Sequence, residues 1–266
     1  MASQIADYEI EGVVLDDGSV TCLQARRPLR LGESGGRATV WILGPLARVP
    51  WVAARARIEQ AAAVHSQGLP EWLEAGIGEW VQRPVVWVSA SAAVTATLAS
   101  PPPEMGVPER LRAIAAVARG VQALHEHGRL HGAICPQAVA LCEDGSALVA
   151  PPAFANGERL VAQVGYPPLA YVDPQLLRGN GGRWSDVWAL GATIHQAVSG
   201  VAPYRDLAQM PVVQALSFLV QGPEPVLAEM PVNVAEIVSK CLAIDPADRP
   251  RTAADVADQL EAAAAD

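Results

Sequence analysis

Three consecutive prolines, Pro101, Pro102 and Pro103, stop any strand or helix at one point in this chain, because each lacks an amide hydrogen and fixes its own φ. The patterns on the two sides of that stop differ. Before it, runs of β-branched and aromatic residues at 8–15, 19–25, 38–43, 72–75 and 85–89 predict strands, with Asp17-Gly18 turning the first two into a hairpin. A Gly-rich turn (Gly32, Gly35, Gly36) leads into the third. One Ala- and Arg-rich stretch, 51–65, has helical spacing and is closed by Gly68-Leu69-Pro70. After the prolines helical periods dominate. Residues 108–127 place Leu111, Ile114, Ala115, Ala118, Val121 and Leu124 on one face and end at Gly128. Two short strands around Asp144-Gly145 follow within 130–149, then an irregular Pro-rich stretch over 151–175. Helices are predicted again at 185–200, 212–220, 232–243 and 253–264. The expected class is α+β, a small β-rich lobe over 1–100 and a larger helical lobe over 101–266, forming one unit.

Composition narrows the partners. The formal charge of -9 disfavours a nucleic-acid partner, since phosphate contact needs a basic face. Cys22, Cys135, Cys142 and Cys241 make no CxxC pair and no Cys/His metal pattern, so reduced thiols are expected, with no metal and no cofactor. The apolar run over 85–99 is interrupted by Ser and Thr and is too short to span a bilayer. The N-terminus lacks the basic and apolar regions of a signal peptide, which points to a cytoplasmic location, free or tethered to a membrane protein.

Three segments carry a resemblance. GVQALHEHGRLHGAICPQAVAL (120–141), SDVWALGATIHQAVSGVAPY (185–204) and CLAIDPADRPRT (241–252) resemble, in this order and spacing, the bacterial Ser/Thr protein kinases of the eukaryotic type. The resemblance implies a two-lobed kinase-like fold. It also implies structural roles: His131 heads the catalytic loop, Asp186 accepts from that loop's backbone, Gly191 permits close helix packing, and Arg249 is the buried arginine of the helical lobe. That arginine's partner in the family is a Glu after a Pro. Gln175 stands there, so a hydrogen bond with weaker electrostatic constraint is expected in place of an ion pair.

Phosphoryl transfer rests on positioning and charge neutralisation. The positions matching the family's phosphate-loop glycines are Leu15, Asp17 and Val20, with only the offset Gly18 left. Trp41 stands at the lysine position, and the chain's one lysine, Lys240, lies far away in a late helix. The helix glutamate position falls near Ala56, with Glu59 a turn away. In the loop, Ala133 replaces the catalytic Asp, Cys135 the Lys and Ala138 the metal-binding Asn. The metal-binding triplet aligns with Pro151-Pro152-Ala153, and Asp144 beside Glu143 is a turn residue. These losses predict a pseudokinase, not an enzyme, with Trp41 filling part of the former nucleotide pocket.

Function is then expected in binding. No Ser or Thr occurs over 151–175, which leaves Tyr166 and Tyr171 there, both assigned to packing. Among six threonines, Thr252 follows Arg249-Pro250-Arg251 and has Asp255 three residues on, a capping-box spacing. The same spacing suits phosphorylation by an active Ser/Thr kinase and reading by an FHA-domain protein, an implication of the resemblance. The expected role is a regulatory scaffold in Ser/Thr kinase signalling. One family setting that fits is the kinase-like region of actinobacterial MviN-type cell-wall proteins, where the fold regulates peptidoglycan synthesis. The alternatives are an unconventional enzyme using the cleft, and a purely structural domain.

Overall fold

A computed structural model describes residues 4–16, 20–32, 36–47, 49, 51–151, 168–204, 207, 210–221 and 230–265. The N-terminal region is built on strands β1 (Gln4–Ile5), β2 (Tyr8–Asp16), β3 (Thr21–Arg26), β4 (Arg37–Pro45), β5 (Trp72–Trp80) and β6 (Arg83–Ala90). They form one antiparallel sheet in the order β1-β2-β3-β4-β6-β5. The Asp17-Gly18 turn, like Gly35, lies outside the described residues.

Strand periodicity gives this sheet two apolar faces. Along β4, Ala38, Val40 and Ile42 join one cluster with Leu23, Val85 and Trp87. Trp41 and Leu43 join another with Cys22, Val86 and Val88, since alternate side chains leave opposite faces. The second cluster is the large one and continues into the helical part. Helix α1 (Trp51–Ala62) buries Ala54, Ile58 and Ala61 against it.

Strand β5 is nine residues long where sequence pattern predicts four, and the cause is two glycines. The indole of Trp87 covers β5 so closely that a Cβ at Gly76 would lie 2.8 Å from the ring, and one at Gly78 3.0 Å. Glycine's low strand propensity hides the strand in the sequence, whereas packing under Trp87 requires glycine there.

Beyond β7 (Val94–Thr97), α2 (Val107–Glu126) enters the helical part, and β8 (Val139–Cys142) and β9 (Ala147–Val149) pair with β7 as a small second sheet. Helices α3 (Pro174–Leu177), α4 (Arg183–Ser199), α5 (Val212–Val220), α6 (Val232–Cys241) and α7 (Ala253–Ala263) complete it. Helix α2 packs on α4 and α7, and α4 packs on α6. The α4–α6 contact is so close that a Cβ at Gly191 would lie 2.4 Å from Cys241 Cβ. The observed architecture is a β-rich N-terminal region joined to a helical C-terminal part, the expected α+β class. No described helix is long and apolar enough to cross a membrane.

Candidate functional site

The loop from His131 to Ala138 lies between α2 and β8, and the buried carboxylate of Asp186 on α4 holds its start. Asp186 Oδ2 accepts from the His131 amide at 2.9 Å and Oδ1 from the Gly132 amide at 2.7 Å. His125 Nε2, from the last turn of α2, lies 2.8 Å from Oδ2. Burial, the largest influence, acts to raise the Asp186 carboxyl. The His125 hydrogen bond, the neighbouring imidazoles of His125 and His131 and the Gly132 amide together hold it below its ordinary value. An anion here supplies both acceptors that two adjacent loop amides need.

His131 is fully buried. Its Nε2 lies 2.8 Å from the Ala150 carbonyl, and the Ala133 amide donates to Nδ1 at 3.3 Å. A carbonyl can only accept and an amide can only donate, so the ring is neutral with its proton on Nε2. Burial pushes the imidazole below its ordinary value, in keeping with that tautomer.

Around this brace the loop is apolar. Ala133, Ile134, Cys135 and Ala138 are each fully buried, and Pro151 is buried after Ala150, whose amide donates to the Ala138 carbonyl at 2.7 Å. Pro152, Ala153 and Tyr166 lie outside the described residues. Trp41 is 1% exposed, with its ring edge-on to Trp72 at a centroid distance of 5.7 Å. Val20 is buried and Leu15 half-buried; Asp17 and Gly18 lie outside the described residues. Ala56 faces solvent, and Glu59 pairs with Arg55 on the exposed side of α1 at 2.7 Å. Arg57, on the same helix, is half-buried. Burial and the Arg129 charge press its guanidinium below its ordinary value, and Asp186 pulls the other way. Asp144 turns the β8–β9 hairpin, accepting from Ser146 N at 2.9 Å and Ser146 Oγ at 2.6 Å. Tyr171 is buried and donates to Gln196 Oε1.

One expectation about the helical part is corrected. Arg249 does not lean on Gln175, whose amide donates instead to the Ile244 carbonyl at 3.2 Å. Its partner is Asp173, two residues earlier, at 2.9 and 3.1 Å through both guanidinium arms, with both side chains at 0% exposure. The ion pair is therefore retained from a different position. Asp173 also caps α3 by accepting from Gln175 N at 2.9 Å, and it takes the Ser185 hydroxyl at 2.8 Å. An Asp immediately before a Pro is a helix-capping signal, and it was the available hint. Trp188 lies under the guanidinium, 4.8 Å from its carbon.

At α7, Thr252 Oγ1 accepts from the Asp255 amide and the Asp255 carboxylate accepts from the Thr252 amide, both at 3.0 Å. The capping box is complete, and Thr252 is half-buried. All four cysteines are free thiols.

Comparison with known proteins adds kinship. Residues 83–260 match the family described as protein tyrosine and serine/threonine kinase. The chain is 31% identical over 150 residues to the serine/threonine-protein kinase PknK of Mycobacterium tuberculosis, covering 54% of this chain and 14% of that protein. It is 31% identical over 151 residues to the probable serine/threonine-protein kinase PkwA of Thermomonospora curvata, with 54% and 19% covered. To the serine/threonine-protein kinase AfsK of Streptomyces griseus it is 26% identical over 145 residues, with 52% and 18% covered. The chain thus spans less than a fifth of the length of these three relatives. This kinship corrects the expectation that the chain is not an enzyme, because the matched family and the named relatives are enzymes. That expectation rested on a handful of side-chain substitutions, whereas the match extends over most of the chain.

Proposed function

Because the chain belongs to the protein tyrosine and serine/threonine kinase family, we propose that it serves Ser/Thr kinase signalling as a regulatory scaffold, a pseudokinase in the sense that its binding surfaces carry the role. The observation that supports this most is the loop after α2. Its brace of Asp186 on the His131 and Gly132 amides is intact, while fully buried Ala133 and Ala138 occupy the positions that the resemblance assigns to base and metal ligand. Backbone geometry has been kept where chemistry-bearing side chains have been replaced. Trp41, at the family's lysine position and buried against Trp72, contributes by filling part of the former nucleotide pocket, and Mg-ATP binding is correspondingly weak or absent.

In this reading residues 1–100 and 101–266 are two lobes of one regulatory unit. It works in the cytoplasm, alone or tethered to a membrane protein such as an MviN-type cell-wall protein. Its partners are an active Ser/Thr kinase, which phosphorylates Thr252, and an FHA-domain protein, which reads phospho-Thr252 with Asp255 three residues on. A phosphate at the N-terminus of α7 is compatible with the helix dipole, so the modification costs the capping hydrogen bond of Thr252 and leaves the helix in place.

The test is incubation of the purified chain with an active Ser/Thr kinase and ATP, followed by mass spectrometry and FHA-domain capture. A Thr252 phosphopeptide, and capture lost in Thr252→Ala, is the expected result. Equal capture of wild type and Thr252→Ala would remove the recruitment step. The relatives' names favour a second reading, a protein kinase that transfers phosphate with a different set of groups. Phosphate transferred by the purified chain, with no other kinase present, would select that reading over the scaffold.

A further inference from the structure

Residues 91–94 carry the chain from the six-stranded sheet into β7, and most of their main-chain groups find partners outside the large sheet's ladder. The Ser91 amide donates to the Glu71 carbonyl at 2.8 Å, and the Ala93 carbonyl accepts from the Glu143 amide at 3.0 Å. Three further groups, the Ala92 carbonyl, the Val94 amide and the Val94 carbonyl, are met by side chains. Thr39 Oγ1 donates to the Ala92 carbonyl at 2.9 Å and accepts from the Val94 amide at 3.3 Å. Gln24 Nε2 donates to the Val94 carbonyl at 3.0 Å.

These two side chains form one device. Gln24 on β3 and Thr39 on β4 are directly opposed in register, next to the Cys22 and Trp41 pair, and so project from the same face of the sheet. Thr39 is fully buried, and its single hydroxyl is used as donor and acceptor at once. Gly12, opposite Gln24 on β2, leaves room for the amide, since a Cβ there would lie 3.1 Å from Gln24 Oε1. The three connector groups read acceptor, donor, acceptor along one edge. That pattern is the complement of a planar heteroaromatic ring with exocyclic amine donors and a ring acceptor, and here the chain's own side chains supply it.

We infer that Thr39 and Gln24 are a built-in ligand for the connector, clamping the sheet to residues 91–94 and closing that edge to planar heteroaromatic molecules. The clamp fixes the angle at which the β-rich region meets the helical part. It also makes Thr39 and Gln24 the residues that decide whether the edge is open to a ligand. The inference is argued from these hydrogen bonds, and its exchange test is read separately from phosphorylation of Thr252.

Residue-resolved hydrogen exchange on the whole chain tests it, with the Val40 amide in the β4 ladder as internal reference. In Thr39→Val, which keeps the shape and removes the hydroxyl, the Val94 amide should exchange at least about tenfold faster relative to Val40. Thr39→Ser, which keeps the hydroxyl, should stay within about threefold of wild type. Should Thr39→Val fail to fold, Gln24→Leu carries the test, since it leaves Thr39 in place and should still loosen the Val94 amide by about threefold or more. Millimolar adenosine, as a planar probe, should leave wild-type Val94 exchange unchanged. Equal exchange in Thr39→Val and Thr39→Ser, an unchanged rate in Gln24→Leu, or slowing of wild-type Val94 by adenosine would each overturn the inference.

Discussion

Replacing Asp173 should be among the most destabilising single changes in the helical part. Both side chains of the Asp173–Arg249 pair are at 0% exposure, so neither charge has water to fall back on. With the carboxylate gone, the guanidinium keeps the carbonyls of Ala243 at 2.8 Å, Trp184 at 3.0 Å and Ile244 at 3.4 Å, and the Trp188 ring. Those dipoles solvate the cation partly and do not neutralise it. Removing one partner of a buried pair costs about 3–5 kcal/mol. The α3 cap and the Ser185 hydrogen bond are lost in the same step and are contained in that figure, because contacts sharing one group do not add. Asp173→Asn is the sharpest variant. It preserves shape but turns one oxygen into an NH2 group, and that donor faces Arg249 in either orientation, together with the Gln175 amide at the Oδ1 position or the Ser185 hydroxyl at the Oδ2 position. Gln175→Glu, at the position the sequence favoured, should change stability by less than about 1 kcal/mol, since among the described residues its side-chain amide meets the Ile244 carbonyl and not Arg249. The double replacement Asp173→Leu with Arg249→Met should recover most of the loss of Asp173→Leu alone, because no charge is left unpaired. Urea unfolding followed by tryptophan fluorescence reads all four as midpoint shifts at constant slope. A cost below about 1 kcal/mol for Asp173→Asn would refute the ion-pair argument.

Gly191→Ala should cost about 1–3 kcal/mol by thermal melt, because its Cβ would meet Cys241 Cβ at 2.4 Å where α4 and α6 cross. Thr252→Ala should cost about 1 kcal/mol through loss of the α7 cap, and Thr252→Ser should restore most of it. Stability should fall on acidification in two stages, measured by urea midpoints from pH 8 to pH 3. His131 is held below its ordinary 6.5 by burial, so its contribution is complete above that value and declines as pH drops below it. Asp186 is held below its ordinary 3.8, so its contribution is complete above that value and is lost as pH falls through the lower folded value. A His131→Gln variant that still unfolds with an unchanged slope between pH 7 and pH 5 would remove the first stage.

The strand and helix patterns transfer well because they are local. An alternation such as Ala38, Val40 and Ile42 against Trp41 and Leu43 records which side of a strand is apolar, and the sheet uses both sides as that pattern demands. The α2 face, from Leu111 to Leu124, is buried as its spacing requires. The elements that escaped were those made by pairing. Strand β1 is two residues long and exists through β2, while β7 is defined by its register with β8, some forty residues later. In β5, glycine pointed away from a strand until the Trp87 indole was laid over it.

By itself the sequence determined the identity of the side chains at the loop and strand positions. Ala133, Ala138, Trp41 and the complete Thr252–Asp255 box follow from residue type and short-range spacing, which no packing can alter. Only the tertiary structure decided which polar groups meet. It chose Asp173 over Gln175 for an arginine 76 residues away, and it left Arg57 half-buried and Glu59 in solvent. It also gave the hydroxyl of Thr39 to a connector 53 residues on. The physical reason is range. Apolar periodicity is written residue by residue along the chain, whereas a buried charge or hydroxyl must be satisfied by whatever the closed fold places within about 3 Å, and that set is assembled only when distant segments pack.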